Sequence, residues 1–317
     1  MIYRRLGRTD IQISLLSLGS GGHNPFGQGT GVPESEIHRL IHHALDLGIN
    51  HFDSAVPPSY GDSEMILGRG LKDVSRDSYT LSTKFSVLDE HTREVISEEV
   101  LNRTVDNSLR NLQVDELDLF LVAGIQKEDE HIRALNEIRP MLERLLKSGK
   151  VRHIGTSEHS GGDGGHAWLE TAVGDDLIEV VMVAYNMMNQ SAERVVFPMC
   201  IEKQIGTMGI FTVRNAFSKP GSLEDTVKRL KQRGLLDEKV PDVNPLGWLL
   251  DDEEPSLVSA AYRFSAGNPA LSTIMTGTIN PDHLEGNVRT IQKPPLPNEK
   301  LSRLRDLFGH LSEVVGN

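Results

Sequence analysis

The run Leu117-Asp118-Leu119-Phe120-Leu121-Val122, then the amphipathic stretch Glu130–Ser148, then Val151-Arg152-His153-Ile154-Gly155-Thr156, reads as strand, helix, strand. The first run is almost continuously apolar, as a parallel strand buried on both faces is, and a parallel neighbour needs a crossover helix to reach it. Gly149 is placed to close that helix in the C′ position, and Pro140 is expected to kink or split it. The pattern repeats outward in both directions. Strands are predicted at Leu15–Gly19, Asn50–Asp53, Tyr79–Lys84, Leu117–Val122, Val151–Thr156, Ile178–Ala184, Met208–Val213 and Ser272–Thr276. Helices are predicted at Glu34–Leu47, Ser63–Leu71, Glu94–Asn111, Glu130–Ser148, His166–Val173, Ala192–Lys203, Pro255–Ala266 and Pro281–Ile291. Eight such units imply an α/β protein built as a closed (β/α)8 TIM barrel, with an open doubly wound sheet as the alternative.

Two segments fall outside the repeat, and all of residues 1–317 is read as one barrel domain around them. Residues 1–14 alternate apolar and polar around Gly7-Arg8-Thr9-Asp10, the pattern of a β-hairpin that could plug one mouth. Residues 218–254 carry a basic helix, Thr226–Arg233, and then the acidic, proline-bearing stretch Asp237–Pro255. They read as an insertion between the seventh strand and its helix, on the C-terminal face where barrel active sites lie. The tail 293–317 opens with Pro294, Pro295 and Pro297 and is predicted to hold one last helix.

Composition narrows the function. The chain has 45 acidic and 33 basic residues, a formal charge of −12, which argues against general nucleic-acid binding. With 38% hydrophobic and 25% charged residues it can bury a core. The lone cysteine, Cys200, allows no intrachain disulfide and reads as a packed small residue. The charged start Tyr3-Arg4-Arg5-Leu6-Gly7-Arg8 is unlike a signal peptide, and no apolar run approaches bilayer length, so a cytoplasmic protein without membrane contact is expected. No Walker loop, no Gly-x-Gly-x-x-Gly after a strand and no zinc-type Cys/His cluster is found, so no metal is expected.

Polar residues crowd the ends of neighbouring strands: His51-Phe52-Asp53-Ser54-Ala55, then Ser59-Tyr60-Gly61-Asp62-Ser63-Glu64, then Ser82-Thr83-Lys84-Phe85. A carboxylate, a phenol and an amine can converge there in a pocket of low dielectric. An ammonium favours the ionised form of a nearby phenol, and a carboxylate compensates the ammonium. Such a phenol can protonate a carbonyl oxygen as hydride reaches its carbon. Each residue alone is as readily structural. His51, opening its strand, is expected to face backbone groups.

Taken together, Tyr3–Thr9, Ala44–Ala55, Tyr60-Gly61-Asp62-Ser63-Glu64, Leu67-Gly68-Arg69, Ser82–Phe85, Ser108–Leu112, Asp115–Leu119, Ser148–Ser157 and Tyr185-Asn186 resemble the aldo-keto reductase superfamily, in order and over nearly the whole chain. The resemblance implies an oxidoreductase that moves hydride to or from a carbonyl or alcohol carbon of a small molecule. NADP(H) is the first expectation for its cofactor and NAD(H) the second. Of the family's Asp-Tyr-Lys-His tetrad, Asp53, Tyr60 and Lys84 match as catalytic residues, with Tyr60 seven residues after Asp53 where five is usual. Ala123 stands at the histidine's place. His23 and His159 are candidate substitutes, and Phe26 and Pro57 join Ala123 as candidate walls of the substrate pocket. The resemblance further implies cofactor contacts at Ser20, Gly21, Asp53, Ser157, Glu158, Met182, Val213, Arg214, Asn215, Gly277, Thr278, Ile279, His283 and Asn287. Within that set Glu158 replaces an asparagine and Met182 a glutamine, and Arg214 is a candidate partner for the diphosphate. A sugar-like or other polar carbonyl is compatible with these residues, which select none. Two alternatives stand beside turnover: a barrel that binds nicotinamide cofactor as a sensor or regulatory module, and one that binds no dinucleotide.

Overall fold

A computed structural model describes residues 1–22, 24–158 and 164–316. A hairpin of β1 (Tyr3–Arg5) and β2 (Gln12–Ser14) comes first. The barrel strands are β3 (Leu16–Gly19), β4 (His51–Asp53), β5 (Thr80–Ser86), β6 (Leu117–Ala123), β7 (Val151–Ser157), β8 (Val180–Ala184), β9 (Gly206–Ile210) and β10 (Thr273–Thr276). All are parallel, and β10 pairs back onto β3 to close the cylinder. Around it run α1 (Glu34–Asp46), α2 (Ser63–Leu71), α3 (Glu98–Leu112), α4 (His131–Lys147), α5 (Ala167–Val173), α6 (Val196–Lys203), α7 (Asn215–Ser218), α8 (Ser222–Gln232), α9 (Leu257–Ala266), α10 (Pro281–Ile291) and α11 (Asn298–Phe308). This is a (β/α)8 TIM barrel with an N-terminal hairpin.

The two-residue period of the strands sorts their side chains between two cores. Leu119 and Leu121 point inward, where they join Val180, Met182, Met208 and Ile210. Phe120 and Val122 point outward beneath the helices. Leu6, Ile11 and Ile13 of the hairpin segment belong to the inner cluster, so the hairpin stoppers the N-terminal mouth. Gly7 makes this docking fit. Its φ is 57°, and a Cβ there would lie 2.1 Å from the Gly206 backbone nitrogen. Gly7→Ala is therefore expected to lower stability by about 1–3 kcal/mol from the backbone strain alone, with the clash added. A thermal melt of the variant checks this, and an unchanged midpoint would contradict the docking.

Several boundaries differ from expectation for local reasons. Helix α4 runs unbroken through Pro140. Pro140 and Asn136, whose carbonyl loses its partner, both lie on the exposed face, where water can replace the missing bond. Gly149, with φ 76°, ends the segment as expected. Helix α3 begins at Glu98 rather than Glu94, because Ser97 caps it by accepting from the Val100 amide, while Val95 bridges back to Leu88. Strand β9 covers Gly206–Ile210 rather than Met208–Val213, since Phe211 turns to φ 60° and leaves the ladder. The helix expected from Ala192 begins as a short 3-10 turn at Ser191–Glu193 and becomes α6 at Val196. In the insertion, the basic helix spans Ser222–Gln232 instead of Thr226–Arg233.

A buried pair anchors the far end of the insertion. Arg263 of α9 donates to Glu254 at 2.9 Å and to the carbonyls of Pro294 and Pro295, joining the insertion, α9 and the chain leading to α11.

Candidate active site

The register of β4 and β5 decides the arrangement at the C-terminal mouth. Asp53 lies opposite Ser82, and Lys84 is two residues further along the same inward face. Lys84 Nζ donates to Asp53 Oδ2 at 2.5 Å and to the Ser54 carbonyl at 2.9 Å. Asp53 Oδ1 accepts from the Ser82 hydroxyl at 2.6 Å. Burial by itself would lower the Lys84 pKa, but the charge of Asp53, followed by the influence of Tyr60, outweighs it and holds the amine above its ordinary value. Lys84 therefore remains an ammonium at neutral pH.

Tyr60 comes from the turn after β4, and its ring faces that ammonium, with Nζ 4.8 Å from the ring centroid. Gly21 makes room for the phenol: a Cβ at this position would lie 2.5 Å from Tyr60 Cζ and 2.6 Å from the hydroxyl oxygen. The two additional residues in the loop do not carry the phenol away from the amine. Gln28 holds this turn in place. Its Nε2 donates to the Tyr60 carbonyl and to Ser63 Oγ, and its Oε1 accepts from the Asp62 amide. The fifth residue of the Tyr-Gly-Asp-Ser-Glu string, Glu64, is fully buried and accepts from Thr83 of β5 and Asn111 of α3. It locks α2, and with it the turn, against the barrel.

His51 does not face backbone groups as expected. Its Nε2 lies 3.0 Å from the Ser82 hydroxyl, deep inside the cylinder below Asp53.

The remaining predicted residues form a rim. Ser20 is buried, and its hydroxyl bonds Ser54 at 3.1 Å. Gly277 follows β10 beside Gly21, and Ile279 lies against Gly27, so the loops after β3 and β10 run side by side at the mouth. Thr278 Oγ1 accepts from the Asn280 amide, and Asn280 in turn caps α10 by accepting from the amides of Asp282 and His283. His283 is exposed, and the Asn287 amide donates to Thr276 and Tyr262. Across the mouth, Ser157 Oγ donates to the Glu158 carbonyl, and Met182 is buried in the inner cluster. Glu158 turns toward the protein: its carboxylate takes His166 Nδ1 at 2.5 Å and the Ala184 amide at 2.6 Å.

After β9, Val213 is half-buried, Asn215 starts α7, and Arg214 between them is 5% exposed. The Arg214 guanidinium stacks 4.2 Å over the Phe211 ring, and burial lowers its pKa to about 10, so it stays charged. Its Nε and Nη2, with the neighbouring Thr212 Oγ1, are buried without a hydrogen-bond partner among the described residues. A buried cation without a counter-ion is costly, and an anion arriving there would relieve the cost.

Ala123 ends β6, half-buried at the mouth, and offers no donor. Phe26 is 4% exposed and packs in the outer core, and Pro57 is exposed beside the mouth. His23 and His159 lie outside the described residues.

Sequence reasoning missed Gln28, Ser82, His166 and the tail. Residues 311–316 return to the mouth, where Asn189 donates to the Glu313 carbonyl and the Ala216 amide to the Gly316 carbonyl. Arg233 pairs with Glu313 at 2.5 Å, tying the insertion to the same rim. No local pattern marked these contacts. A large groove of about 690 Å³ opens on the opposite, N-terminal face. Inside it, Asp118 takes both Arg76 and Arg152, and Asp10 takes Arg152.

An inward Asp–Lys pair thus lies under a phenol at the C-terminal mouth of a closed parallel barrel. Residues 17–308 match the model of the Aldo/keto reductase family, and the chain belongs to that family. A versiconal hemiacetal acetate reductase of Aspergillus parasiticus is 26% identical over 339 residues, covering 94% of this chain and 95% of that protein. The uncharacterized oxidoreductase YqkF of Bacillus subtilis is 21% identical over 307 residues, covering 95% of each. In fold, the chain matches the holo form of the aldo-keto reductase AKR11C1 of Bacillus halodurans with a TM-score of 0.70 and 23% identity, over 97% of this chain and 96% of that one. The protein is an oxidoreductase of a family that generally uses NAD(P)H. Among the described residues, no helix is long and apolar enough to cross a membrane.

Proposed function

We propose that the protein reduces the carbonyl group of a small, polar, sugar-like molecule, or oxidises the matching alcohol, with NADP(H) as first choice of cofactor and NAD(H) as second. The observation that carries this reading is the buried Lys84–Asp53 pair at 2.5 Å beneath the Tyr60 ring. The Arg214 guanidinium, whose Nε and Nη2 find no partner among the described residues, fits the cofactor's diphosphate, and Ser20, Gly21, Ser157, Val213, Asn215 and the segment Gly277–Asn287 would frame the rest of the cofactor. When bound there, the dinucleotide supplies the hydride. The chain's own residues hold the substrate oxygen against Tyr60 Oη, which gives up its proton as negative charge grows on that oxygen. Lys84, kept charged by Asp53, stabilises the phenolate left behind. The rim formed by the tail and the insertion narrows the access of water.

Quenching of intrinsic fluorescence by NADPH and NADH tests the cofactor. Reduced-nicotinamide absorbance over a panel of sugars, aldehydes and ketones tests turnover. Binding with no turnover of any carbonyl would favour the second reading, a cofactor-binding sensor, which the missing donor at Ala123 supports. Ala123→His separates the two: it is expected to raise reduction of simple aldehydes by about a hundredfold, the worth of one aimed donor. An unchanged rate would mean that the substrate oxygen is not bound next to Ala123.

A further inference from the structure

We propose that His51 and Ser82 are positioning residues of the active site, joined to Asp53 in one directed hydrogen-bond chain that fixes the Lys84 ammonium. The inference rests on the oxidoreductase reading of the same site and adds two residues to it. The chain runs down the inward face of two adjacent strands: Lys84 to Asp53 at 2.5 Å, Asp53 to Ser82 at 2.6 Å, Ser82 to His51 at 3.0 Å. Asp53 is 4% exposed, and Ser82 and His51 are fully buried, so water does not compete for these bonds.

The donors have one consistent order. The Ser82 hydroxyl donates its single proton to Asp53 Oδ1, so its oxygen must accept from His51. His51 must then carry its proton on Nε2. Its other nitrogen, Nδ1, is buried without a partner among the described residues, which is consistent with an unprotonated nitrogen. Burial agrees, lowering the ring's pKa to about 4 against the opposing pull of Asp53 and Asp118, with Lys84 adding to the fall. Those are the charged groups acting on the ring, and Asp118 is itself neutralised by Arg76 and Arg152.

His51 commits Nε2 to orienting the Ser82 hydroxyl, while its Nδ1 has no partner among the described residues. The consequence is mechanical as well as electrostatic. Asp53 receives Lys84 on one oxygen and Ser82 on the other, so its carboxylate cannot rotate. The ammonium therefore keeps its place under the Tyr60 ring.

NMR of the whole protein labelled with 15N-lysine and 15N-histidine tests this without cofactor or substrate. The Lys84 ammonium signal is assigned by its loss in Lys84→Arg. In the native protein it is expected to exchange slowly with water, and His51 to show the Nε2–H tautomer. Ser82→Ala and His51→Phe are expected to speed that exchange about tenfold, the factor one ordinary hydrogen bond commands. Ser82→Thr and His51→Gln, which keep a donor at each place, are expected to restore it. The Ser82 pair carries the test should His51→Phe fail to fold. A His51 protonated on Nδ1, or Lys84 exchange unchanged in Ser82→Ala, would overturn the proposal. Absence of carbonyl turnover would instead overturn the reading of the site, and would leave these NMR results standing.

Discussion

Tyr60→Phe is expected to lower carbonyl reduction by about 10²–10⁴-fold, the range a positioned general acid contributes, with little change in cofactor affinity. The substitution removes one oxygen at the rim and leaves the ring that faces Lys84. It is therefore a cleaner probe than Lys84→Met, which would strand the buried Asp53 carboxylate and cost about 3–5 kcal/mol of stability by that route alone. Rates are to be followed at the reduced-nicotinamide absorbance on whichever carbonyl the native protein turns over fastest. A Tyr60→Phe rate within a few-fold of the native one would remove the phenol from the mechanism.

The second large effect has two opposite signs. Arg214→Met is expected to weaken NADPH binding by about 30-fold to several thousand-fold, corresponding to the 2–5 kcal/mol lost when one partner of a desolvated charge pair is deleted. The same substitution is expected to raise the melting temperature of the cofactor-free protein. Without an anion, two guanidinium nitrogens lie buried with no bond among the described residues, and a methionine of similar length would fill the space over Phe211 without that cost. Native protein should recover the deficit on adding NADPH, with a rise in melting temperature that grows with ligand concentration. Fluorescence titration and thermal melts on both proteins check this. Unchanged affinity together with a lower melting temperature would make Arg214 a structural residue and send the search for the diphosphate contact elsewhere on the rim.

The legibility of this protein follows the range of the interactions involved. The strand at Leu117–Val122 was readable because burial on both faces demands apolar residues at every position but Asp118, a signal contained in six consecutive letters. The approach of Asp53, Tyr60 and Lys84 to one another was foreseeable because each sits in a short polar string at the end of a neighbouring strand. Helix starts were less so: α3 moved to Glu98 once Ser97 took the capping role and Val95 found a strand partner across a turn. Gln28 carried no mark at all, since its value lies in three bonds to a turn more than thirty residues away. Glu158 was read toward the cofactor and is found pointing at His166 and Ala184, because a carboxylate near buried donors turns to them first.

The sequence by itself determined the eightfold alternation, the hairpin and the oxidoreductase class, and brought Asp53, Tyr60 and Lys84 forward as candidates, because periodicity and short motifs are local properties of a chain. Only the tertiary structure decided what each polar group faces. Barrel closure and strand register put Ser82 beside Asp53 and His51 below it, left Arg214 without a counter-charge among the described residues, and brought residues 311–316 back to the mouth. Those outcomes depend on distances between residues far apart in the chain, and burial makes each of them matter by withdrawing the water that would otherwise satisfy every donor and charge alike.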